Sequence, residues 1–400
     1  MVAALTRIFG VHNLALAEDV AQDALCRALE VWKTRGIPEQ PSAWLMATAK
    51  NRALDVLRRE RTAHQLAPEL RRVLDSEPEL TPLLEQAFSA PTIRDEQLRM
   101  MFSCCHPRLP EEAQLALILN VLCGFGAAEI AGALLTGRAA IEKRISRGKR
   151  ALVGAELFDL ADAEFAARLD TVRRALYLLF SEGYHGSSQA PVRAELCEEA
   201  LRLTTLLREY PPANTPTTRA LAALMCLHCA RLPARVDLAG DLNALADQDR
   251  TRWDRALLAE GLLLFESSAA GSELTQYHVE AAIAAAHAGA HELRDTNWAL
   301  IVSLYDKLMG IAPSPVVALN RAIAVGERDG PEQGLQALRA IDDLERLAHY
   351  PFYAAALGEL ELRRGARDAA RRHLQTALSL ARSDSERRFL EKRLARALPD

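Results

Sequence analysis

The sequence predicts an all-α protein, and three observations support this class. Hydrophobic residues make up 50% of the 400-residue chain, and Ala and Leu dominate among them. Apolar residues recur at three- and four-residue spacing, which is the period of an amphipathic helix. No stretch alternates β-branched and polar residues as a half-buried strand would. At about 100–200 residues per domain, this length predicts two to four domains.

The charge of the chain is unevenly distributed. The formal net charge is −4. Residues 1–150 carry 20 Lys and Arg against 18 Asp and Glu, whereas the remaining residues carry 29 against 35. This balance excludes a general polyanion-binding protein, so any contact with nucleic acid would be confined to local basic patches.

Cysteine usage and hydropathy indicate a cytoplasmic protein. The seven cysteines are odd in number and unevenly spaced, which is typical of free thiols in a reducing compartment. The first ten residues lack the basic and apolar segments of a secretory signal. No apolar run is long enough to cross a bilayer, so no membrane association is expected.

The first helix is predicted at about Leu16–Trp32, with one buried and one acidic side. The predicted buried residues are Val20, Ala24, Ala28 and Val31. The acidic side consists of Asp19, Asp23 and Glu30, with Gln22 at its edge. Such a stripe is either simply solvated or docks a basic partner surface.

A second helix is predicted to begin near Pro41, with Ser42 as its N-cap. Its polar face combines an aromatic ring with amide, hydroxyl and charged groups: Trp44, Thr48, Asn51, Arg52, Asp55, Arg58 and Arg59. This combination suits single-stranded DNA, because bases stack on rings and cations hold the backbone. The alternative is that the cations are only solvated and that Trp44 packs against another helix, which is the favoured interpretation for that ring.

A proline-rich linker is predicted before residue 96, followed by helices at Glu96–Leu109 and Glu111–Leu122. The stretch Gly126–Leu152 then predicts two short helices around a turn at Thr136-Gly137. The second helix buries Ile141, Ile145 and Leu152. Its opposite side carries Lys143, Arg147 and Arg150. A helix of this kind fits a DNA major groove, although a solvated surface helix has the same pattern.

The second helix contains one residue of low helix propensity. Gly148 costs about 1 kcal/mol of helix propensity relative to Ala. The helix is therefore expected to bend or fray toward Lys149 and Arg150.

Beyond Phe158 the sequence predicts long Ala/Leu-rich helices separated by Pro and Gly turns. A weak repeat relates two sets of residues 36 positions apart: Ala322, Gly334, Leu338 and Ile341, and then Gly358, Ala370, Leu374 and Ala377. Small residues where paired helices cross are typical of tetratricopeptide repeats of about 34 residues. Stacked pairs of this kind leave a concave surface for a protein partner.

No cluster of residues predicts catalysis, a cofactor or a metal ion. Adjacent Cys104 and Cys105 cannot both reach one ion from a regular helix. The pair Cys226 and Cys229 lies in an apolar run and is predicted to be core. An acidic set consists of Asp247, Asp249 and Asp254. These carboxylates are interpreted as members of ion pairs or as helix caps, rather than as an acid–base or metal site.

The order of these elements resembles the extracytoplasmic-function (ECF) sigma factors of bacterial RNA polymerase, in the sigma-70 family. The resemblance rests on AEDVAQDAL (17–25), AWLMATAKNRALDVLRRER (43–61) and AAEIAGALLTGRAAIEKRISRGKRAL (127–152). The remainder is similar to the subgroup with a long C-terminal, tetratricopeptide-like extension. Its motifs are RLDTVRRALYLLFSEGY (168–184), DQDRTRWDRAL (247–257) and PSPVVALNRAIAV (313–325).

The resemblance implies two small helical sigma domains, the second a helix-turn-helix, followed by a larger helical domain. The implied boundaries are 1–66 for sigma region 2, 67–95 for a linker, 96–157 for sigma region 4, 158–310 for a helical extension and 311–400 for tetratricopeptide-like repeats. The first helix of region 2 is expected to be shortened, and the linker to thread toward the polymerase active-site channel.

The resemblance also implies a role for each candidate residue. The β′ clamp helices of core RNA polymerase would bind Asp19, Gln22 and Asp23. The minus-10 element of promoter DNA would contact Trp44, Thr48, Asn51, Arg52, Asp55, Arg58 and Arg59. The minus-35 element would contact Arg138, Lys143, Arg144, Arg147 and Arg150, while neighbouring residues touch the β flap.

The expected function is therefore a sigma factor whose C-terminal half modulates its activity. Two alternatives stay open from the sequence. One is a conventional helix-turn-helix regulator that senses partners through its repeats. The other is an enzyme or scaffold centred on the acidic set around Asp249.

Overall fold

The described residues fold as α-helices without a β-strand among them, which confirms the predicted class. The computed structural model describes residues 1–9, 13–60, 90–106, 109–133, 136–153, 162–185, 192–237, 241–290, 292–381 and 383–397. The chain divides into two compact units, residues 1–175 and 176–400. Residues 67–89 of the predicted linker lie outside the described residues, and residues 90–95 belong to a helix (Ala90–Cys104) rather than to a linker.

The first unit begins with helices α1 (Val2–Phe9), α2 (Leu14–Arg35) and α3 (Pro41–Glu60). Their shared core is rich in alanine, which lets the helices approach closely, and comprises Leu5, Phe9, Ala17, Val20, Ala21, Ala24, Ala49 and Ala53. Because α3 begins at Pro41, Ser42 lies inside the first turn, and its predicted N-cap position is wrong. Proline is favoured at a first helical position, where its missing N–H would have no helical partner.

Further along this unit the structure describes α4 (Ala90–Cys104), α5 (Glu111–Leu117), α6 (Ala127–Ala133) and α7 (Arg138–Val153). The predicted helix after Glu111 is regular only to Leu117 and continues as a π-helical turn at Ile118–Leu122. Helices α6 and α7 form the predicted helix-turn-helix and pack with each other, while α7 also packs on α5. The core of this motif includes Ile130, Ile141 and Leu152. The burial predicted for Ile141 and Leu152 is confirmed, whereas Ile145 is only partly buried.

Helix α7 runs without interruption to Val153, so the expected fraying after Gly148 is wrong, while the expected bend stays a prediction. A Cβ atom at Gly148 would lie 2.7 Å from Cδ1 of Leu117. The glycine therefore allows α5 to pack directly on α7. This tight contact holds the helix where propensity alone would weaken it.

Gly148→Ala is expected to destabilise the protein by about 1–2 kcal/mol, because overpacking against Leu117 outweighs the gain in helix propensity. Urea unfolding monitored by circular dichroism measures this change. Gly310→Ala, within the helix Trp298–Ile311, is the matched control, since a Cβ there meets nothing within 4 Å. Adding Leu117→Ala should relieve the clash. A Gly148 variant as stable as wild type would contradict this account of the packing.

Helix α8 (Asp162–His185) contains the boundary between the two units. The second unit continues with α9 (Ala194–Glu209), α10 (Pro216–Cys229), α11 (Leu232–Arg235), α12 (Arg255–Ser268), α13 (Gln276–Ala288), α14 (Trp298–Ile311), α15 (Pro315–Asp329), α16 (Pro331–Arg339), α17 (Pro351–Arg363), α18 (Arg367–Ser379) and α19 (Asp384–Ala395). From α12 onward, each helix packs on the next in sequence.

Small residues lie where the paired helices near the C-terminus cross. A Cβ atom at Gly334 would lie 2.8 Å from Cα of Gly326, and one at Gly358 would lie 2.7 Å from Cγ of Leu374. All eight positions of the predicted repeat are buried. The crossing of paired helices at small residues is thus confirmed, while the assignment to tetratricopeptide repeats stays a prediction.

The cysteine-containing stretches belong to the protein core. Cys104, Cys226 and Cys229 are buried, and burial raises the pKa of each thiol to about 12. In the described ranges, no three His, Cys, Asp or Glu side chains converge as metal ligands would. Within the same ranges, no helix combines the length and the hydropathy needed to cross a membrane.

Candidate nucleic-acid interface

The exposed side of α7 presents three cations. Lys143, Arg147 and Arg150 are all exposed and lie four and then three residues apart, which places them along one side of the helix. Arg150 Nε donates to the carbonyl oxygen of Ser146 at 3.3 Å. No carboxylate of the described residues pairs with any of the three, so their charges face outward unneutralised.

The other predicted cations of α7 have acidic neighbours. Arg138 pairs with Glu142 one turn further along, at 2.8 Å. Arg144 is half-buried and forms an ion pair with Glu112 of α5, so it lies toward the helical core rather than among the exposed cations. The structure therefore brings together three of the five predicted minus-35 residues and separates Arg144 from them.

A different residue of α7 reaches the helix with the acidic side. Lys149 Nζ lies 2.6 Å from Oε1 of Glu18, and both side chains are mostly buried, with exposed fractions of 28% and 30%. The pair joins α7 to α2, two elements that lie 131 residues apart in sequence. The sequence analysis assigned no role to either residue in this contact.

The acidic side of α2 also carries apolar residues. Asp19, Gln22 and Asp23 are exposed, as the interpretation of a docking surface requires. Leu25 and Leu29, one and two turns further along, are 48% and 74% exposed. The sequence analysis missed these leucines, although their position outside the predicted buried stripe was a usable signal. Exposed apolar residues next to charges are typical of protein-binding surfaces.

The polar face of α3 divides into packed and exposed residues. The Trp44 ring packs edge-on against the Trp32 ring at 5.5 Å, which confirms the packing interpretation for Trp44. The hydroxyl of Thr48 donates to the Trp44 carbonyl oxygen at 2.8 Å. Asn51 and Asp55 are exposed. The side chains of Arg58 and Arg59 lie outside the described residues, although α3 continues past both.

An ion pair connects the two predicted binding surfaces of this unit. Arg52 Nε of α3 lies 2.8 Å from Oδ2 of Asp23 on α2. With exposed fractions of 38% and 53%, such a pair contributes less than about 1 kcal/mol. Either side chain can therefore exchange this contact for another partner at little cost.

The acidic set of the second unit has structural contacts. Asp249 accepts a hydrogen bond from the Thr251 amide at the start of a short 3-10 helix. Asp254 caps α12 by accepting from the amides of Ala256 and Leu257. Asp247 pairs with Arg393 at 2.7 Å. The interpretation as caps and ion pairs is confirmed, because the three carboxylates serve separate contacts.

Comparison with known proteins identifies the first unit. Residues 1–63 match the family model for sigma-70 region 2, and residues 99–152 match the model for sigma-70 region 4. The chain belongs to the sigma-70 family. Residues 168–269 match a family of unknown function, DUF6596. The chain is also 38% identical over 396 residues to an uncharacterised protein of Rhizobium meliloti (strain 1021), covering 98% of this chain and 92% of that protein.

Membership in the sigma-70 family supports a role in transcription initiation and is consistent with a protein that is not an enzyme. The region 2 match contains the exposed residues of α2 and the polar face of α3. The region 4 match contains the exposed cations of α7. The DUF6596 match shows that this sigma-70 protein has an additional helical domain after region 4.

Proposed function

We propose that this protein is an ECF-type sigma factor that binds core RNA polymerase and directs promoter-specific transcription initiation. The observation that carries the proposal is the exposed row of Lys143, Arg147 and Arg150 on α7, within the region 4 match. Cations along one side of a helix suit the phosphates and base edges of a major groove. We assign this row to the minus-35 element, with Arg138 beside it.

The remaining contacts follow from the exposed surfaces of region 2. We assign the α2 patch of Asp19, Gln22 and Asp23 to the β′ clamp helices of the polymerase, and Leu25 and Leu29 add apolar area to this patch. The exposed part of the α3 polar face would contact the separated minus-10 strand. There Trp44 would support the face by packing rather than by stacking on a base.

The helical domain after region 4 is proposed to modulate initiation through a protein partner. The packed helix pairs α15–α16 and α17–α18 support this assignment, because paired helices with small residues at their crossings build extended binding surfaces.

Run-off transcription tests the proposal. Core polymerase supplemented with this protein is expected to produce promoter-dependent transcripts well above those of core polymerase alone. A parallel gel shift uses the protein without polymerase on the same duplex. Nanomolar duplex binding by the free protein, without added transcription, would refute the sigma-factor proposal and favour a conventional helix-turn-helix regulator.

A further inference from the structure

Three arginines in the second unit surround aromatic rings without a carboxylate partner. The guanidinium carbons of Arg231 and Arg250 lie 5.5 Å and 4.7 Å from the ring centre of Trp253. That of Arg235 lies 4.0 Å from the ring centre of Tyr184. Among the described residues, none of the three guanidinium groups forms an ion pair. Arg231 is only 8% exposed, and a cation so deeply buried is ordinarily paired.

The charges in this cluster act on one another and on a neighbouring histidine. Burial lowers the pKa of Arg231, and the nearby charges of Arg235 and Arg250 lower it further. Burial, together with Arg231 and Arg250, lowers the pKa of His287 to about 4. His287 is therefore neutral at physiological pH, so the arginines carry the positive charge of the cluster.

Several buried donors of the cluster have no acceptor. Arg250 Nη1 donates to the carbonyl oxygens of His287 and Ala290, at 2.7 Å and 2.6 Å. Its Nη2 and the indole Nε1 of Trp253 are buried and meet no acceptor in the described part of the chain. The Nε of Arg231 has only the amide oxygen of Gln248, at 3.4 Å. Unsatisfied buried donors are uncommon, and an anion could satisfy both the donors and the charge.

A cavity of about 880 Å³ opens beside this cluster, with Gln248, Arg250 and Trp298 in its wall. Three carboxylates line the wall. Asp249 accepts hydrogen bonds from the amide and the hydroxyl of Thr251, and the other two are already neutralised. Glu292 pairs with Arg294 at 2.7 Å, and Glu327 pairs with Arg363 at 2.6 Å. Asp295 influences Arg250 without forming an ion pair with it. Among the described residues, Arg250 is thus the wall cation without an ion pair, in a cavity large enough for a metabolite.

We propose that this cavity binds the oxyanion group of a small metabolite, a carboxylate or a phosphate. Arg250 would contact the oxyanion through Nη2, because its Nη1 already donates to two carbonyl oxygens. Arg231, held by Gln248 behind the wall, would add electrostatic attraction. Trp298 offers an apolar surface to the rest of the ligand. The cavity is formed within the second unit and requires neither DNA nor polymerase.

Gln248→Glu in the full-length protein tests the charge argument. The substitution places a carboxylate where the amide oxygen accepts from Arg231, and it removes the amide donor to the Asn243 carbonyl oxygen. Phosphate and succinate are titrated separately at constant ionic strength. At least one should raise the Tm of wild type saturably, by about 2–4 °C, and leave the variant unchanged.

Two further variants keep the test specific. Gln336→Glu makes the same chemical change at an exposed position of α16, and this variant should respond to the anion as wild type does. Arg250→Lys keeps the charge but loses the planar fork, and it should require at least about ten times more anion for the same shift. The proposal is overturned if neither anion shifts wild type saturably, or if Gln248→Glu responds as wild type does. Which anion acts distinguishes carboxylate from phosphate ligands.

Discussion

Lys143→Ala combined with Arg147→Ala is expected to lower the affinity of the polymerase holoenzyme for promoter duplex by about 10- to 100-fold. Both side chains are exposed on α7 and lack a carboxylate partner in the described part of the chain. Their charges are therefore available to two phosphates, or to a phosphate and a base edge. Losing two phosphate contacts should also reduce the slope of log affinity against log salt by about 2.

Equilibrium binding across a salt series measures both effects. The charge-matched control is Arg367→Ala with Arg372→Ala, which removes two exposed cations from α18 in the second unit. The control should retain the affinity and the salt slope of wild type. Equal losses in the two double variants would show that net charge, rather than the α7 surface, controls DNA binding.

Asp19→Lys combined with Gln22→Lys is expected to weaken binding to core polymerase by at least about tenfold. Both positions are exposed on α2, beside the apolar side chains of Leu25 and Leu29. Two lysines there would repel a basic partner surface. They would also make burial of the two leucines less favourable, because their ammonium groups would have to be desolvated. Asp23 is left unchanged because its substitution would also release Arg52.

Competition with a labelled sigma factor for a limiting amount of core polymerase measures this loss. Asp342→Lys with Gln336→Lys makes the same change at exposed positions of the second unit and should compete as wild type does. If the α2 variant also competes normally, the patch is not the polymerase contact.

Features that depend on local periodicity could be predicted from the sequence. The buried stripe of α2 and the opposed faces of α7 follow from a 3.6-residue period, so Val20, Ala24 and Ile141 are buried as expected. Val31 and Ile145, predicted from the same period, are only partly buried. The exposed side of Lys143 and Arg147 follows from the same period. Such patterns identify which face of a helix is polar without showing what lies opposite it.

Features that depend on contacts between distant elements could not be predicted. From the sequence alone, Gly148 predicts a weak point in α7, because the packing of Leu117 against this glycine is not visible there. The sequence predicts Arg144 as one more cation of the polar side, but in the structure it forms an ion pair with Glu112 of α5. The contact between Lys149 and Glu18 joins helices 131 residues apart, and no local pattern encodes that pairing. The arginines around Trp253 likewise come from separate segments.

The ion pair between Arg393 and Asp247 has a consequence for deletion experiments. The same terminal helix, α19, also supplies Lys392 to Asp241 at 2.8 Å. These contacts tie α19 to the loop that leads into Gln248 and Arg250. Trimming the chain from its end would remove helices and at the same time release this distant loop. Point substitutions in α19 would separate the two effects.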